Sequence, residues 1–459
     1  MLRETATQAT VGEGRSLENE KSPPLHEDAT YDRARTPGPL RRWKTALHSF
    51  RVLRDLSPEQ VRNFMNSYVI YNLDWADEKA MTDTLGPDYQ KKVGECLSDY
   101  YSVLNHMCSI GELEKMYIPP VMDLQSSIIV NQERYEESIA KELHLPPKPR
   151  LLDLGCGRGR VAAHMTSLVG ARVTGVNIDH DQIASARAYN DQMNFQNDFI
   201  CMDFNDLPLP LPGGEFDGVY NIQAFSLCKD IPGMCRELYR LLKPGARLSF
   251  LDWVKLDAFD DYHPHHQDLM RRIKPLIGAV GTPTPESMAA DIASAGFKVL
   301  SNGNASIDGL QAPLIERADW YFKVTRHLLY GLVRAGLLPA HFRTLLDRFA
   351  KDGAAFIEAD RARLITTSYH WLAEKPREVH AVSGLPASTL DPDSVVVEAG
   401  SSSNSGKSTP SSGASSVLDI ESPSPANSDS TGISVPPLSP EEPLKTEQPS
   451  SRAGAEMSS

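Results

Sequence analysis

Leu151-Leu152-Asp153-Leu154-Gly155-Cys156-Gly157-Arg158-Gly159-Arg160 is the stretch on which the fold reading turns. A short β-type run, Leu151 to Leu154, enters a turn of alternating glycines, and a helical pattern over about 160 to 169 leaves it. Glycine has no Cβ, so such a turn can take positive φ and bring its backbone amides close to a ligand. Downstream, β-type runs at Arg172 to Val176, Phe199 to Met202, Phe216 to Asn221 and Leu248 to Trp253 alternate with helical patterns around 181 to 193 and 231 to 242. Alternation of this kind predicts a doubly wound, Rossmann-like α/β sheet. Thr284-Pro285-Glu286 then opens a helix that Gly296 closes, Phe297 to Leu300 reads as a strand, and a helix around 318 to 335 and a β-like run from Leu364 to Leu372 follow.

Upstream, Pro146-Pro147-Lys148-Pro149 ends a different, helical regime. Ser57-Pro58-Glu59-Gln60 carries the marks of a capped helix start, and apolar residues recur at helical spacing over about 89 to 106 and 123 to 143. The expected organisation is a disordered segment over 1–45, a helical flank or lid over 46–148, a cofactor-binding core over 149–255, a substrate-side cap over 256–377 and a disordered Ser/Pro-rich tail over 378–459. Tail segments such as Ser422-Pro423-Ser424-Pro425 bury too little apolar surface to offset the entropy of ordering.

A formal net charge of −13 argues against a protein built to neutralise nucleic-acid phosphates. Arg41-Arg42-Trp43-Lys44 reads as a solvated basic patch, although it could meet an acidic surface. The six cysteines form no C-x-x-C pair and no leader-like apolar stretch opens the chain, which points to a reduced, cytoplasmic setting. No run approaches the roughly 20 apolar residues of a membrane span, so membrane contact, at the endoplasmic reticulum or another lipid surface, would be peripheral. Oligomeric state is left open.

In open α/β sheets ligands bind beyond the carboxyl ends of the strands, and the first strand-to-helix turn is the cradle. Asp153, Gly155, Gly157 and Gly159 occupy it with G-x-G-x-G spacing; a dinucleotide fingerprint would place a third glycine at 160, where Arg stands. A carboxylate before the first glycine repels a pyrophosphate and suits an ammonium-bearing amino-acid moiety, hence a methionine-derived cofactor. Asn177, at the end of the second strand, is the candidate ribose contact, with Asp179 and Gln182 either assisting or capping the next helix. Asp203 and Phe204 end the third strand and offer an adenine an acceptor and an aromatic face.

These residues resemble the sterol methyltransferase family of class I S-adenosylmethionine-dependent methyltransferases. The similarity runs from about 95 to 377 and rests on Tyr100-Tyr101, the turn from Leu152 to Gly159, Gly175-Val176-Asn177 with Gln182, Leu241-Leu242-Lys243-Pro244-Gly245, Asp252-Trp253 and Ala295-Gly296-Phe297-Lys298-Val299-Leu300. The resemblance implies S-adenosylmethionine as methyl donor and a hydrophobic small-molecule acceptor under a helical cap. The chain departs from the family's Gly-Trp-Gly element, reading Ile110-Gly111-Glu112-Leu113, and from its acidic segment, where Gln223 stands in place of the acid and Leu227 in place of a histidine. Methylating an alkene carbon leaves a cation that needs aromatic faces or a carboxylate, and Gln223 offers only a dipole. The departures therefore point to a divergent member methylating oxygen or carbon of a terpenoid or polyketide in specialised metabolism. A genuine sterol C-methyltransferase and a non-catalytic regulator that kept the cofactor fold are the alternatives.

Tyr101, Gln223 and His263 are the candidate catalytic residues. Tyr100 and Tyr101 could shield a cation through their ring faces or pack a helix. His263, His265, His266 and Asp252 are candidate bases; the H-P-H-H run lacks the carboxylate or cysteine frame of a metal site, and no metal is expected. Trp253 and Trp320-Tyr321-Phe322 read as core, and Cys156 as a small filler.

Overall fold

The computed structural model describes residues 39–75, 77–110 and 114–377, and of 39–45 and 318–322 the backbone alone. The expected disorder of 1–38 and 378–459, the departure at Gly111-Glu112-Leu113 and the packing of Trp320-Tyr321-Phe322 lie outside the described residues.

The chain begins with helices α1 (Pro39–Arg54), α2 (Pro58–Ser67), α3 (Glu78–Leu85), α4 (Tyr89–Ile110) and α5 (Ile128–Glu142). The capping box of α2 forms as its sequence predicts: the Gln60 amide donates to Ser57 Oγ (3.1 Å) and the Ser57 amide to Gln60 Oε1 (2.9 Å). Helix α1 is a correction, since its first seven residues lie inside the stretch expected to lack order. Proline at its first turn is compatible with a helix start, and Ser49 and Leu53 supply it with a buried side. Helix α5 begins at 128 rather than 123 because Ser127 caps it, accepting from the Val130 amide.

The alternating half then runs β1 (Arg150–Leu154), α6 (Arg160–Val169), β2 (Arg172–Asn177), α7 (His180–Met193), β3 (Asp198–Cys201), β4 (Phe216–Ile222), α8 (Ile231–Leu241) and β5 (Leu242–Lys255). It continues through α9 (Pro264–Ile277), α10 (Pro285–Ser294), β6 (Lys298–Asn304), α11 (Ala312–Arg334), α12 (His341–Ala350), α13 (Gly353–Arg361) and β7 (Ile365–Glu374). The seven strands form one sheet in the order β3-β2-β1-β4-β5-β7-β6, parallel except for β7, which runs antiparallel to both neighbours. The expected α/β class, with a helical flank before it and a cap after it, is the fold observed.

Period-2 alternation on β1 distributes the core. Leu152 and Leu154 join the larger apolar cluster with α8 and the helical flank, while Leu151 packs on the opposite face with α5 and α6. Helix α9 follows β5: Pro264 sits at its first turn and Leu269, Met270 and Ile273 are buried, so the histidines of the H-P-H-H run open a helix. Strand order reverses at β1, which pairs β2 on one side and β4 on the other, and this is the position where an α/β sheet opens a crevice beyond its carboxyl edge.

Candidate active site

A cleft opens at that reversal. Asp153, Gly155, Gly157, Asn177, Gln182, Phe204, Tyr101 and Gln223 line it, together with Cys156, Arg158, Arg160 and a strap from Glu114 to Tyr117. Gly157 has φ +51°, and a side chain there would meet Gln182 Oε1 at 3.2 Å; at Gly155 (φ +82°) a Cβ would lie 2.3 Å from Ala224 Cβ. Both positions exclude other residues, one through conformation at the cleft wall and the other also through contact with the β4 turn. Asn177 Nδ2 donates to Gln182 Oε1 (3.3 Å), pairing two polar groups on the same wall.

Asp153 is buried and accepts from Tyr220 Oη at 3.0 Å. Burial raises its carboxyl pKa to about 7, with Tyr220 opposing the shift and Glu136 adding to it. A cationic ammonium beside this group would restore the charged form. Phe204 presents a nearly buried ring, and the cleft as a whole has the donor set that an amino acid joined to a nucleoside requires: a carboxylate, glycine amides, amide side chains and an aromatic face.

Three predicted cofactor contacts fall elsewhere. Gly159 (φ +69°) faces Ala186 and Phe199, either of which a Cβ would crowd at 2.9 Å, so it serves the packing of the turn against α7 and β3. Asp179 caps α7, accepting from the Gln182 amide at 2.7 Å, and Asp203 closes its own turn by accepting from the Asn205 amide at 2.9 Å. Neither lines the cleft.

The candidate catalytic residues separate in the same way. Tyr101 faces the cleft, whereas Tyr100 is locked in an aromatic cluster with Phe64, Tyr68 and Tyr71. The Gln223 side chain is fully committed: Nε2 donates to the carbonyls of Ile118 and Thr367 (both 2.7 Å) and Oε1 accepts from the Ile118 amide (3.1 Å). Its backbone sits at φ +53°, a costly conformation for a non-glycine residue, held by these bonds. Gln223 is therefore a clamp. His263 is exposed, stacks on His266 at 4.4 Å and lines neither this cleft nor the cavity described next; His265 pairs with Glu358 at 2.6 Å on the surface. Among the described residues no cluster of His, Cys, Asp and Glu could hold a metal.

Sequence reasoning missed the strap. Gln132 donates to the carbonyls of Lys115 and Tyr117, Gln311 to those of Ile118 and Pro119, and Gln223 to Ile118, so three buried or half-buried amides fasten one segment over the cleft. Beneath it Glu136, wholly buried, meets Lys115 Nζ (2.6 Å), Tyr117 Oη (2.6 Å) and His164 Nδ1 (2.6 Å). Burial would raise this carboxyl, but Lys115 and His164 hold it down at about 2. Glutamines 15 to 193 residues from their partners leave no local signal; an acid amid the apolar positions of α5 was the one available hint.

Beyond the turn from Ala224 to Cys228 lies a second cavity, of about 240 Å³, lined by Trp75, Phe225, Trp253, Val280, Met288, Asp74 and Asp252. Asp252 ends its run in β5 fully buried. Its oxygens accept from the Trp253 amide (2.8 Å) and the Ser226 amide (3.1 Å), yet burial still raises its pKa to about 7. Trp253 Nε1 is buried without a hydrogen-bond partner. Ala224 and Leu227 face the first cleft and Phe225, Ser226 and Cys228 the second, so one turn forms the partition. Tyr101 stands near it: burial raises its hydroxyl pKa first, and the charges of Asp179 and Asp252 raise it further.

Comparison with known proteins places a methyltransferase domain over the glycine turn and the strands that follow it. The family described as "Methyltransferase domain" matches residues 152–250. A sterol 24-C-methyltransferase of Gibberella zeae is 26% identical over 272 residues, 54% of this chain and 70% of its own length. The methyltransferase phqN of Penicillium fellutanum is 28% identical, over 58% of this chain and 75% of its own. Among solved structures, the cyclopropane synthase MmaA2 of Mycobacterium tuberculosis aligns with a TM-score of 0.47 at 16% identity, over 57% of this chain and 90% of its own. The chain is an S-adenosylmethionine-dependent methyltransferase similar to the sterol 24-C-methyltransferases.

Proposed function

We propose that this enzyme methylates a carbon of a lipophilic, unsaturated acceptor whose reacting end lies in the aromatic cavity beside Asp252. Bound S-adenosylmethionine supplies an electrophilic methyl group. Asp153, Gly155, Gly157, Asn177, Gln182 and Phe204 would hold it in the first cleft, with the strap over it and Tyr101 facing the partition.

The observation that carries the reading is a buried carboxylate in a cavity walled by Trp75, Phe225 and Trp253. When a double bond gives its electron pair to the methyl carbon, the methyl–sulfur bond would break with its electrons leaving on the thioether product. The neighbouring acceptor carbon becomes cationic, and loss of a proton from an adjacent carbon to Asp252 restores neutrality. Aromatic faces stabilise such a cation, and a carboxylate can both pair with it and accept the proton. Gln223 was expected to leave the site without this charge; Asp252, on the neighbouring strand end, supplies it. A pKa of about 7 keeps a useful fraction of Asp252 ionised and basic near neutrality.

At about 240 Å³ the cavity is smaller than the roughly 300–1,000 Å³ typical of sites for whole drug-sized ligands. It suits the end of a branched, prenyl-type chain, the remainder extending outward. The relatives named above include a sterol 24-C-methyltransferase, in keeping with a lipophilic acceptor. The replacements at Gln223 and Leu227 favour a terpenoid of specialised metabolism over a sterol.

The test is turnover with isotopically methyl-labelled donor and a panel of prenylated lipids, with the product located by NMR. A new carbon-bound methyl is expected, and Asp252→Asn should lower turnover about 100- to 10,000-fold, the range of a lost general base. A methyl ether as the product, or an Asp252→Asn enzyme as fast as wild type, would refute it.

A further inference from the structure

Four of the large apolar side chains left outside the core gather in two neighbouring places: Leu47 (43% exposed) in α1, and Val324 (51%), Leu328 (64%) and Leu337 (70%) in and just after α11. On α11, Val324, Leu328, Gly331 and Ala335 recur at i, i+4, i+7 and i+11 and are all exposed, while Leu329 on the other side is buried. In the turn that follows, Gly336 takes φ +70° and the Leu337 amide returns to the Leu332 carbonyl (2.9 Å), sending Leu338 into the core and Leu337 to solvent. That turn leads into α12, which packs on α1: His341 Nε2 meets the Leu53 carbonyl at 2.7 Å and the Phe50 and Phe342 rings lie 5.5 Å apart.

The charge around these residues opposes that of the chain. Helix α1 carries no acid, and its Arg51 is exposed beside Leu47. Arg334 is exposed at the end of α11, one residue before Ala335. In a chain of net charge −13, bases are concentrated where the apolar side chains emerge. A second copy of the same face would bring arginine against arginine. A bilayer carrying anionic headgroups satisfies both parts, taking leucines at the acyl boundary and arginines at the phosphates. Among the described residues no helix is long and apolar enough to cross a membrane, so the contact is one of surface seating.

We propose that α1 and the turn between α11 and α12 seat the enzyme on the surface of an anionic lipid bilayer. The proposal is independent of which acceptor is methylated.

Co-sedimentation of the full chain with vesicles of phosphatidylcholine alone, and of phosphatidylcholine mixed with phosphatidylserine, tests it. Binding to the mixed vesicles is expected, weakened by salt, with little binding to phosphatidylcholine alone. An Arg51→Glu/Arg334→Glu variant should lose about fivefold in partitioning for each base removed, and Leu328→Asp/Leu337→Asp should also lower it, both with unchanged melting temperature and cofactor binding. Wild-type protein left in the supernatant with both vesicles, or variants that bind as wild type does, would overturn the proposal. So would a dimer in solution that Leu337→Asp converts to monomer, since the face would then belong to a second copy.

Discussion

The two cavities on either side of the Ala224–Cys228 turn are built in opposite ways. The first cleft takes its floor from one continuous stretch, Asp153 to Gly157, whose conformation follows from residues without side chains. The second cavity is assembled from Asp74 and Trp75, the partition turn, Asp252 and Trp253 near the end of β5, and Val280 to Met288, segments brought together only by the folded sheet and flank. Chemistry that depends on backbone geometry can be written locally; chemistry that depends on a shaped apolar space cannot.

The contrast can be broken experimentally, and the largest effect is expected at Gly157. An arginine there must hold φ near +51° and enter the cleft, so Gly157→Arg should destabilise the fold by about 1–3 kcal/mol through backbone strain and, by filling the cleft, abolish cofactor binding, which calorimetry would register as loss of measurable heat. Asp153→Asn should cost about 1.5–3 kcal/mol of cofactor affinity, the worth of a charge-assisted hydrogen bond. The pH dependence sharpens this. Burial raises the Asp153 carboxyl from 3.8 to about 7, so in the free enzyme it is protonated below that pH and an ammonium must pull the proton off. Affinity should therefore fall as pH drops below about 7, at most tenfold per unit, and the Asn variant should lack that fall.

Smaller effects belong to the strap. Gln223→Ala removes three hydrogen bonds to Ile118 and Thr367 and should lower stability by about 1–3 kcal/mol in urea denaturation. Gln223→Gly loses the same bonds but relieves the positive φ, and should come out about 1 kcal/mol more stable than the alanine variant.

Most of the sheet was legible because its signals are local. Strands β1 to β4 fall within two residues of their predicted limits, as the alternation of apolar runs and turns requires. Helices α3, α9 and α12 were not anticipated: α9 hides behind a histidine-rich start, and all three draw their buried sides from distant partners. Of the residues expected to meet the cofactor, Asp153, Gly155, Gly157, Asn177, Gln182 and Phe204 line the cleft, as their place at or after strand ends suggests. Asp179 and Asp203 show the limit of that rule, because an acid after a strand serves equally well as a cap or a turn. Gln223 was identified as a position of interest but not as a clamp, since its partners lie 105 and 144 residues away.

The central claim is that the glycine turn holds the donor while Asp252, across the partition, acts on the acceptor. Calorimetric titration of S-adenosylmethionine into Gly157→Arg and Asp252→Asn enzyme tests it most directly. The account predicts no measurable binding by the first and, for the second, affinity within about twofold of wild type, as independent sites require. Binding retained by Gly157→Arg, or lost in a folded Asp252→Asn enzyme, would contradict it.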